Sequence, residues 1–485
     1  MRQVPWTTGK GLGGSSIISA SFYARGNRKD FDAWAEHGAT GWSYEEVLPY
    51  FLKYEDNRDL EYLANGFHSV GGPVTIEKPR YCSEIKDPIF EAAERFGYKA
   101  VDSNGPTQTG FYDIQGPLRN GQRCSTAKAY LVPAENRTNF NIVINAHVNK
   151  IIMDGCNAKG VEFDFKGAKC TVRAKREVIM AAGAVNTAKI LMLSGIGPKE
   201  HLQKHKIRVI ADLPVGNNFQ DHGAVLLHYQ LDPKILPYYQ KLKDIRSIEQ
   251  YIRNRTGPLS SSLSISVAAF LGTDSLLPEV DLPNHLIFFW EIFKPLNMKP
   301  EIEKKFYGPF RNKPVLTCAV APLLVKSCGT IRLKSRNPKD APLIDPNYFE
   351  DPREVEDVIE GMKTCQKIIT SKPMRKVCPK PFPPLPGCEH CYKDEDRYFE
   401  CVLRSGVVSL SSSVGTTKMG DPNDPTTVVD PLLRVKGVKG LRVVDASVMP
   451  ILPAALTFAS TLMVAEKASD IIRETIRCPA LVIEY

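Results

Sequence analysis

Between residues 141 and 181 the chain alternates apolar and polar positions in short runs. Residues 141–145 are apolar and β-branched, and a second run covers 148–153. The Asp154-Gly155 turn follows, then Val161, Phe163 and Phe165 alternate with polar neighbours up to Gly167. Residues 178–181 close the stretch before Gly183. Strands punctuated in this way predict an antiparallel meander that leads into a buried strand. Residues 187–194 read as a helix stopped by Gly195, Gly197 and Pro198. Residues 441–444 read as a short buried strand, and Leu462, Ala465, Ala468 and Ile472 recur at helical spacing. That order places a helix N-terminus near 453–460, a place suited to polar or anionic ligand groups. Six prolines between 373 and 386 predict a surface connector. Together these elements predict an α/β domain with a β-rich region inserted between about 222 and 415.

Composition narrows the class. With 485 residues, 43% hydrophobic and 24% charged, the chain is long enough to bury a sizeable core. No run of 18 apolar residues occurs, so no membrane span is expected. The net charge of +9 is scattered, without an aromatic-interleaved basic block, and no nucleic-acid partner is expected. Twelve cysteines lean towards the secretory route, in which alone the sequons at Asn136 and Asn254 would be glycosylation acceptors, whereas MRQVPWTTGK is no signal peptide. Cys388, His390, Cys391 and Cys401 suit zinc by residue type, but their spacing crowds one ion. A disulfide from Cys388 or Cys391 to Cys401 is the expectation for a secreted chain, and no metal site is expected. His201 and His205 read as a solvated helix face.

Gly9-Lys10-Gly11-Leu12-Gly13-Gly14 contains G-x-G-x-x-G, yet no strand precedes it and no apolar run leads to Asp30 or Asp32. The context of a dinucleotide-binding turn is therefore missing. A loop that brings backbone N–H groups close to a ligand is the better reading.

Longer strings carry more information. Gly9 to Ser16, Tyr23-Ala-Arg-Gly-Asn-Arg28, Asp32-x-Trp34, Gly41-Trp-Ser-Tyr44, Arg123-Cys-Ser-Thr-Ala127, His147-Val148 and Gly183-Ala184 resemble the glucose–methanol–choline (GMC) oxidoreductases. So do Leu193-Ser-Gly-Ile-Gly-Pro198, Gln220-Asp-His222, Ile344-Asp-Pro-Asn-Tyr348, Val414-Gly-Thr-Thr-Lys-Met-Gly420 and Val444-Asp-Ala-Ser447. Pro386-Gly-Cys-Glu-His390 and Tyr398-Phe-Glu-Cys401 are most similar to the insect glucose-dehydrogenase branch. The resemblance covers about residues 6–475. It implies a two-domain α/β flavoprotein fold: a discontinuous FAD-binding domain and a substrate domain with an antiparallel sheet. It places the first region at 1–221, the substrate region at 222–420 (the family's C-terminal homology region beginning near 329) and a return to the FAD domain at 421–475.

The resemblance further implies FAD-dependent oxidation of CH–OH groups of a small alcohol or sugar, with an electron acceptor the residues do not name. By its motifs Gly13, Gly14, Ser15 and Ser16 would lie against flavin and pyrophosphate, and Val148 would meet the adenine. Asp445 and Ala446 would hold pyrophosphate or ribityl oxygens, and Thr457 would approach the isoalloxazine. The family's opening βαβ unit, which seats the ADP half of FAD, is expected ahead of residue 1. A piece of a longer secreted or extracellular protein and a shortened protein both remain open, and weak or no FAD binding is expected for the chain as it stands. Two substitutions bear on chemistry. Ser412 stands where the family has its histidine base, and Leu456 where it has a partner histidine or asparagine. Neither takes a proton near neutral pH unaided. Weak or absent turnover is expected, the alternative being a non-catalytic binding or structural protein on the same scaffold.

Overall fold

The computed structural model describes residues 4–261, 263–272, 281–292 and 299–476. Helix α1 (Arg28–Glu36) opens on Asn27, whose side chain accepts the Lys29 N–H while Asp30 accepts the Asn27 N–H. Helix α2 (Tyr44–Tyr54) opens on the same reciprocal arrangement between Ser43 and Glu46. Such caps satisfy donors that have no partner inside the helix. Helix α3 (Lys86–Arg95) and strand β1 (Gly110–Asp113) follow. The meander β2 (His147–Asp154), β3 (Asn157–Phe165) and β4 (Ala168–Arg173) comes next, then β5 (Val178–Met180) and α4 (Gly183–Leu193).

Four longer strands then build a second unit: β6 (Gly223–Gln230), β7 (Ile265–Leu271), β8 (His285–Trp290) and β9 (Val315–Pro322). Helices α5 (Pro352–Ile369) and α6 (Glu395–Gly406) follow, and the chain returns through β10 (Leu441–Val443) to α7 (Phe458–Ile476). Among the described residues the large sheet runs Lys380–Pro381, β6, β9, β8, β7, β1, Ala100–Val101, with Val408–Ser409 also pairing with β6. Strands β6 to β9 pair antiparallel with one another and β7 with β1. The short parallel pair of β5 with β10 forms a separate sheet.

Strand alternation divides the large sheet between two cores. Ile287 and Phe289 of β8 pack with Val358 and Met362 of α5 and Ile89 of α3. Leu286 and Phe288 point to the opposite face, against Phe22, Tyr112, Ala454 and Ala455. Gly361 lets α5 approach closely, because a Cβ there would stand 2.5 Å from the Val320 side chain. A third core joins α1, α2, α4 and α7 around Phe31, Trp34, Phe51, Leu191 and Met463. Trp34 Nε1 donates to Ile451 O and Trp42 Nε1 to Pro431 O, so the two tryptophans tie the first hundred residues to the last.

Strands β2 and β3 of the meander, the helix before Gly195, the strand at 441 and the final helix are found where the patterning predicts them, whereas β4 was not foreseen. Three readings need correction. Residues 141–145 form no strand: Ile142, Val143 and Ile144 are 43–59% exposed and have no ladder partner among the described residues. The proline-rich connector is not simply surface, since 380–381 edge the large sheet and Met374, Val377, Phe382 and Leu385 are buried. The β-rich unit also draws β1 and Ala100–Val101 from outside 222–415. Cys388 bonds Cys401 as one of the two expected pairings, leaving Cys391 a free thiol. The bond of Cys318 in β9 to Cys365 in α5 was not foreseen. Cys478 lies outside the described residues.

Candidate functional site

Three turns far apart in sequence carry the residues that the motifs single out. The first is the glycine-rich loop. Gly13 and Gly14 have φ of 94° and 55°, and residues 14–17 wind into a short 3-10 turn with no strand ahead of them among the described residues. Glycine takes such angles without the Cβ penalty that other residues meet. The 123–127 string clamps this loop. The Thr126 N–H donates to Ser16 Oγ at 3.0 Å and its hydroxyl to Gly13 O at 3.0 Å. Arg123 Nη1 donates to Ser16 O and to Ser19 Oγ, both at 3.1 Å. Gly14 and Ser15 remain exposed, whereas Ser16 is buried by this clamp.

The second turn joins β5 to α4. Gly183 has φ 81°, and Asp445 reaches it from the end of β10. The Asp445 carboxylate accepts from Gly183 N (2.9 Å), Thr187 Oγ1 (2.6 Å), Ser447 N (2.9 Å) and Ser447 Oγ (2.5 Å). An acidic side chain at a helix N-terminus complements the helix dipole, and this one is fully engaged within the protein. Asp445 therefore shapes the turn, and Ala446 beside it stays half-buried. Val148 lies at a β-bulge in β2, where its side chain packs on the adjacent core.

The third turn, 453–457, precedes α7 and is held on every side. Asp30 accepts the Ala454 N–H at 2.7 Å, and Gln108 Nε2 donates to Ala454 O at 3.0 Å. The buried His222 ring sets Nε2 3.2 Å from Pro453 O and 3.1 Å from Ala455 O, with Nδ1 2.9 Å from Pro322 O. Burial lowers the His222 pKa against these carbonyls and pushes the Asp30 carboxyl up to about 7. Leu456 and Thr457 follow, half-buried at the helix entry.

The neighbour of His222 reaches the other substituted position. Asp221 accepts the Ser412 N–H at 2.5 Å, the Ser409 hydroxyl at 2.6 Å and the Tyr348 hydroxyl. Burial raises its carboxyl to about 6 despite these donors. Ser411 between them has φ 58°, so the carboxylate holds a strained turn in place. Trp6 closes the cluster from outside, donating to Ser413 Oγ at 3.0 Å and stacking on Tyr348.

Sequence reasoning took Asp221 and His222 for packing and hydrogen bonding; the structure adds that this dipeptide joins the Ser412 turn to the Leu456 turn. It weighed Asp30 only as a ribose-binding acid and passed over Gln108. No local pattern reveals either, because their partners lie hundreds of residues away. His201 is not a solvated residue: its ring accepts the Leu333 N–H at 3.0 Å, and burial pushes its pKa down to about 4. Among the described residues no group of three His, Cys, Asp or Glu side chains is arranged to hold a metal, and no helix is long and apolar enough to cross a membrane.

Two family models, both described as GMC oxidoreductase, match residues 1–224 and 325–465. The chain is 35% identical over 473 residues to glucose dehydrogenase [FAD, quinone] of Drosophila pseudoobscura pseudoobscura, covering 96% of this chain and 74% of that protein. It is 35% identical over 484 residues to alcohol dehydrogenase [acceptor] of Pseudomonas putida, covering 97% and 83%. Formate oxidase of Aspergillus oryzae RIB40 superposes with a TM-score of 0.84 at 26% identity, over 97% of this chain and 85% of that one. The chain belongs to the GMC oxidoreductase family, whose cofactor is FAD. Two of the turns leave room for such a group: at Gly14 and Gly183 a Cβ would meet no atom within 4 Å, whereas at Gly13 it would stand 3.1 Å from Ala127 N and from the Ile17 side chain. Bare backbone of this kind suits phosphate and ring oxygens.

Proposed function

We propose that the chain is an FAD-dependent oxidoreductase acting on the CH–OH group of an alcohol or sugar, with its proton-accepting step impaired. The observation that carries this reading is the Asp221-His222 bridge, which holds the Ser412 and Leu456 turns in one place. Gly13, Gly14, Ser15, Ser16, Val148, Ala446 and Thr457 would hold FAD, while Asp445 shapes the turn at Gly183. When bound, FAD supplies the hydride acceptor. What the chain must add is orientation of the hydroxyl and a place for its proton. Ser412 is 2% exposed and its N–H is committed to Asp221. Its hydroxyl has no basicity of its own near neutral pH, and the last histidine of the chain is His390. Leu456 neither accepts a proton nor donates to developing alkoxide. Loss of a general base typically costs about 10²–10⁴-fold in rate.

The test is the paired reversion Ser412→His with Leu456→Asn, assayed with saturating FAD and an artificial electron acceptor. Turnover is expected to rise by about 10²-fold or more. Ordinary rates in the unaltered protein would overturn the impairment. Inactivity of both proteins with flavin bound would favour the second reading, a non-catalytic binding protein, which the apolar surroundings of Leu456 support. The two disulfides among the described residues favour an oxidising compartment, secreted or extracellular.

A further inference from the structure

Of the asparagines in the chain only Asn136 and Asn254 are followed two residues later by serine or threonine, in Asn136-Arg-Thr138 and Asn254-Arg-Thr256. The fold turns both outward. Asn136 lies between two consecutive turns: the Arg137 N–H donates to Ala134 O at 3.1 Å, and the Phe140 N–H to Arg137 O at 3.1 Å. Asn136, Arg137 and Thr138 are all exposed. Asn254 is the last residue of the helix Ile245–Asn254, none of whose side chains is buried. Beyond it Arg255 takes φ 55° and its N–H donates to Tyr251 O at 3.0 Å, so the chain turns at the surface. Neither carboxamide has a hydrogen-bond partner among the described residues, whereas those of Asn27, Asn57, Asn149 and Asn218 are bound inside the protein.

The two positions differ in what stands beside them. Four residues after Asn136 begins the run Phe140, Ile142, Val143 and Ile144, whose side chains are 37–59% exposed. No strand pairs with this run among the described residues. Contiguous apolar surface of that kind marks a place that something covers. The helix ending at Asn254 also exposes apolar side chains, Ile245 and Ile252, each 65%. At 3.6 residues per turn, however, Asn254 projects about 200° around the axis from Ile252 and about 180° from Ile245. A group carried on Asn254 therefore points away from both isoleucines, while one carried on Asn136 stands two short turns from the apolar run.

We propose that Asn136 and Asn254 are N-glycosylated, and that the Asn136 glycan covers the apolar run at 140–144. The donor is a lipid-linked oligosaccharide diphosphate of the secretory route. The bond from sugar C1 to the diphosphate oxygen breaks and the lipid diphosphate leaves with its electron pair. C1 bonds Asn Nδ2, and the proton that Nδ2 gives up goes to a base of the transferase. Arginine at the middle position leaves both acceptors usable, since proline is the residue that blocks it. An N-linked glycan is bulky and solubilising, so at Asn136 it would turn hydroxyls to water above side chains that have no other cover. The proposal rests on the reading of the compartment as secreted or extracellular, and not on the redox chemistry.

The experiment expresses the full chain behind a cleavable secretion leader in cultured insect cells. Peptide N-glycosidase releases each glycan and leaves aspartate in place of the asparagine, which peptide mass mapping locates. Conversion at both 136 and 254 is expected, and Asn136→Gln and Asn254→Gln should each lose one glycan. Light scattering then separates the two positions. Loss of the Asn136 glycan should strengthen self-association about tenfold or more, as burying one exposed aliphatic side chain between two chains suffices for that. Loss of the Asn254 glycan should leave association within about twofold. Enzymatic removal at 136 from the folded, unaltered protein should act as Asn136→Gln does, which decides the matter should the variant not fold. Asparagine left unconverted at 136 overturns the proposal, as does equal association of the two variants; asparagine left unconverted at 254 overturns the second acceptor. Thiol titration of the same preparation keeps the compartment apart. Both disulfides formed with Asn136 unmodified would sink this proposal alone, whereas free thiols at Cys318, Cys365, Cys388 and Cys401 would sink the compartment reading.

Discussion

Asp221 is the residue on which the two substituted turns depend, and its protonation is readable. Burial raises its carboxyl from an ordinary 3.8 to about 6, even though it accepts from Tyr348, Ser409 and Ser412. A carboxyl raised on folding contributes stability that is full below about pH 4 and is lost as pH rises through about 6, because the folded state binds the extra proton. Asp221→Asn removes that titration and keeps an acceptor for the Ser412 N–H, while the two hydroxyls can rotate to meet the new amide. The melting temperature of the unaltered protein should therefore fall relative to the variant between pH 4 and 6.5, by at most about 1.4 kcal/mol of stability for each pH unit crossed. Parallel melting curves for the two proteins across that window would show that the carboxyl does not titrate there. In the same variant the paired reversion at 412 and 456 should gain less activity, since the Ser412 turn loses part of its anchor.

Among the elements, the end of α2 carries the most concentrated buried charge. His68 Nδ1 lies 2.6 Å from Glu55 and its Nε2 2.8 Å from Asp102, while Arg25 pairs with the other oxygen of Glu55. Burial opposes the His68 charge, but hydrogen bonds to Asp102 and Glu55 outweigh it and raise its pKa. Burial likewise opposes ionisation of Glu55 and Asp102, and their cationic partners lower both. The His68 contribution is full below about pH 6.5 and is lost as pH rises through the raised value; that of the two acids is lost as pH falls. His68→Gln should destabilise the fold by about 3–5 kcal/mol in chemical denaturation near pH 6, because one carboxylate loses its cation. A loss under 1 kcal/mol would show that Arg25 alone neutralises the cluster. The network also supports the site: Tyr54 donates to Ala459 O and Ser460 to Arg25 O, under the first turn of α7. None of this was legible along the chain, because Arg25, Glu55, His68 and Asp102 share no periodicity. The meander was legible because apolar alternation and the Asp154-Gly155 turn are local signals. Strand β4 escaped because its side chains are mostly exposed on both faces. Residues 141–145 misled because β-branched composition predicts extended backbone, not a neighbour to pair with. Of the site, the motif loops could be read directly; the clamps from Asp30, Gln108, Asp221 and His222 exist only once the chain is folded.

For the whole molecule, the same unpaired segment decides solution behaviour. Residues 433–435 bond along the far edge of β10, but no strand lies beside the outer edge of β5 among the described residues, and Ile179 in β5 is 44% exposed. Phe140, Ile142, Val143 and Ile144 add four exposed apolar side chains within five residues. Soluble monomers seldom leave contiguous apolar surface of this kind, and unpaired extended backbone is a template for another chain. The 485-residue chain is therefore expected to self-associate at micromolar concentration, with light scattering giving a mass above 54.0 kDa. The net charge of +9 opposes association only weakly, because it is screened within about 8 Å at physiological salt. Replacing Val143 and Ile144 by lysine puts charge on the exposed run without touching a buried contact. The variant should shift towards monomer while its melting temperature stays within a degree or two, exposed substitutions usually costing less than about 0.5 kcal/mol. A monodisperse monomer from the unaltered chain would mean that the exposed run is tolerated. A large drop in melting temperature for the lysine variant would mean that residues 143 and 144 are packed in solution. Binding should respond in parallel: if chains pair through this edge, next to the β5–α4 turn at Gly183, flavin uptake measured by absorbance should improve as the monomer fraction rises.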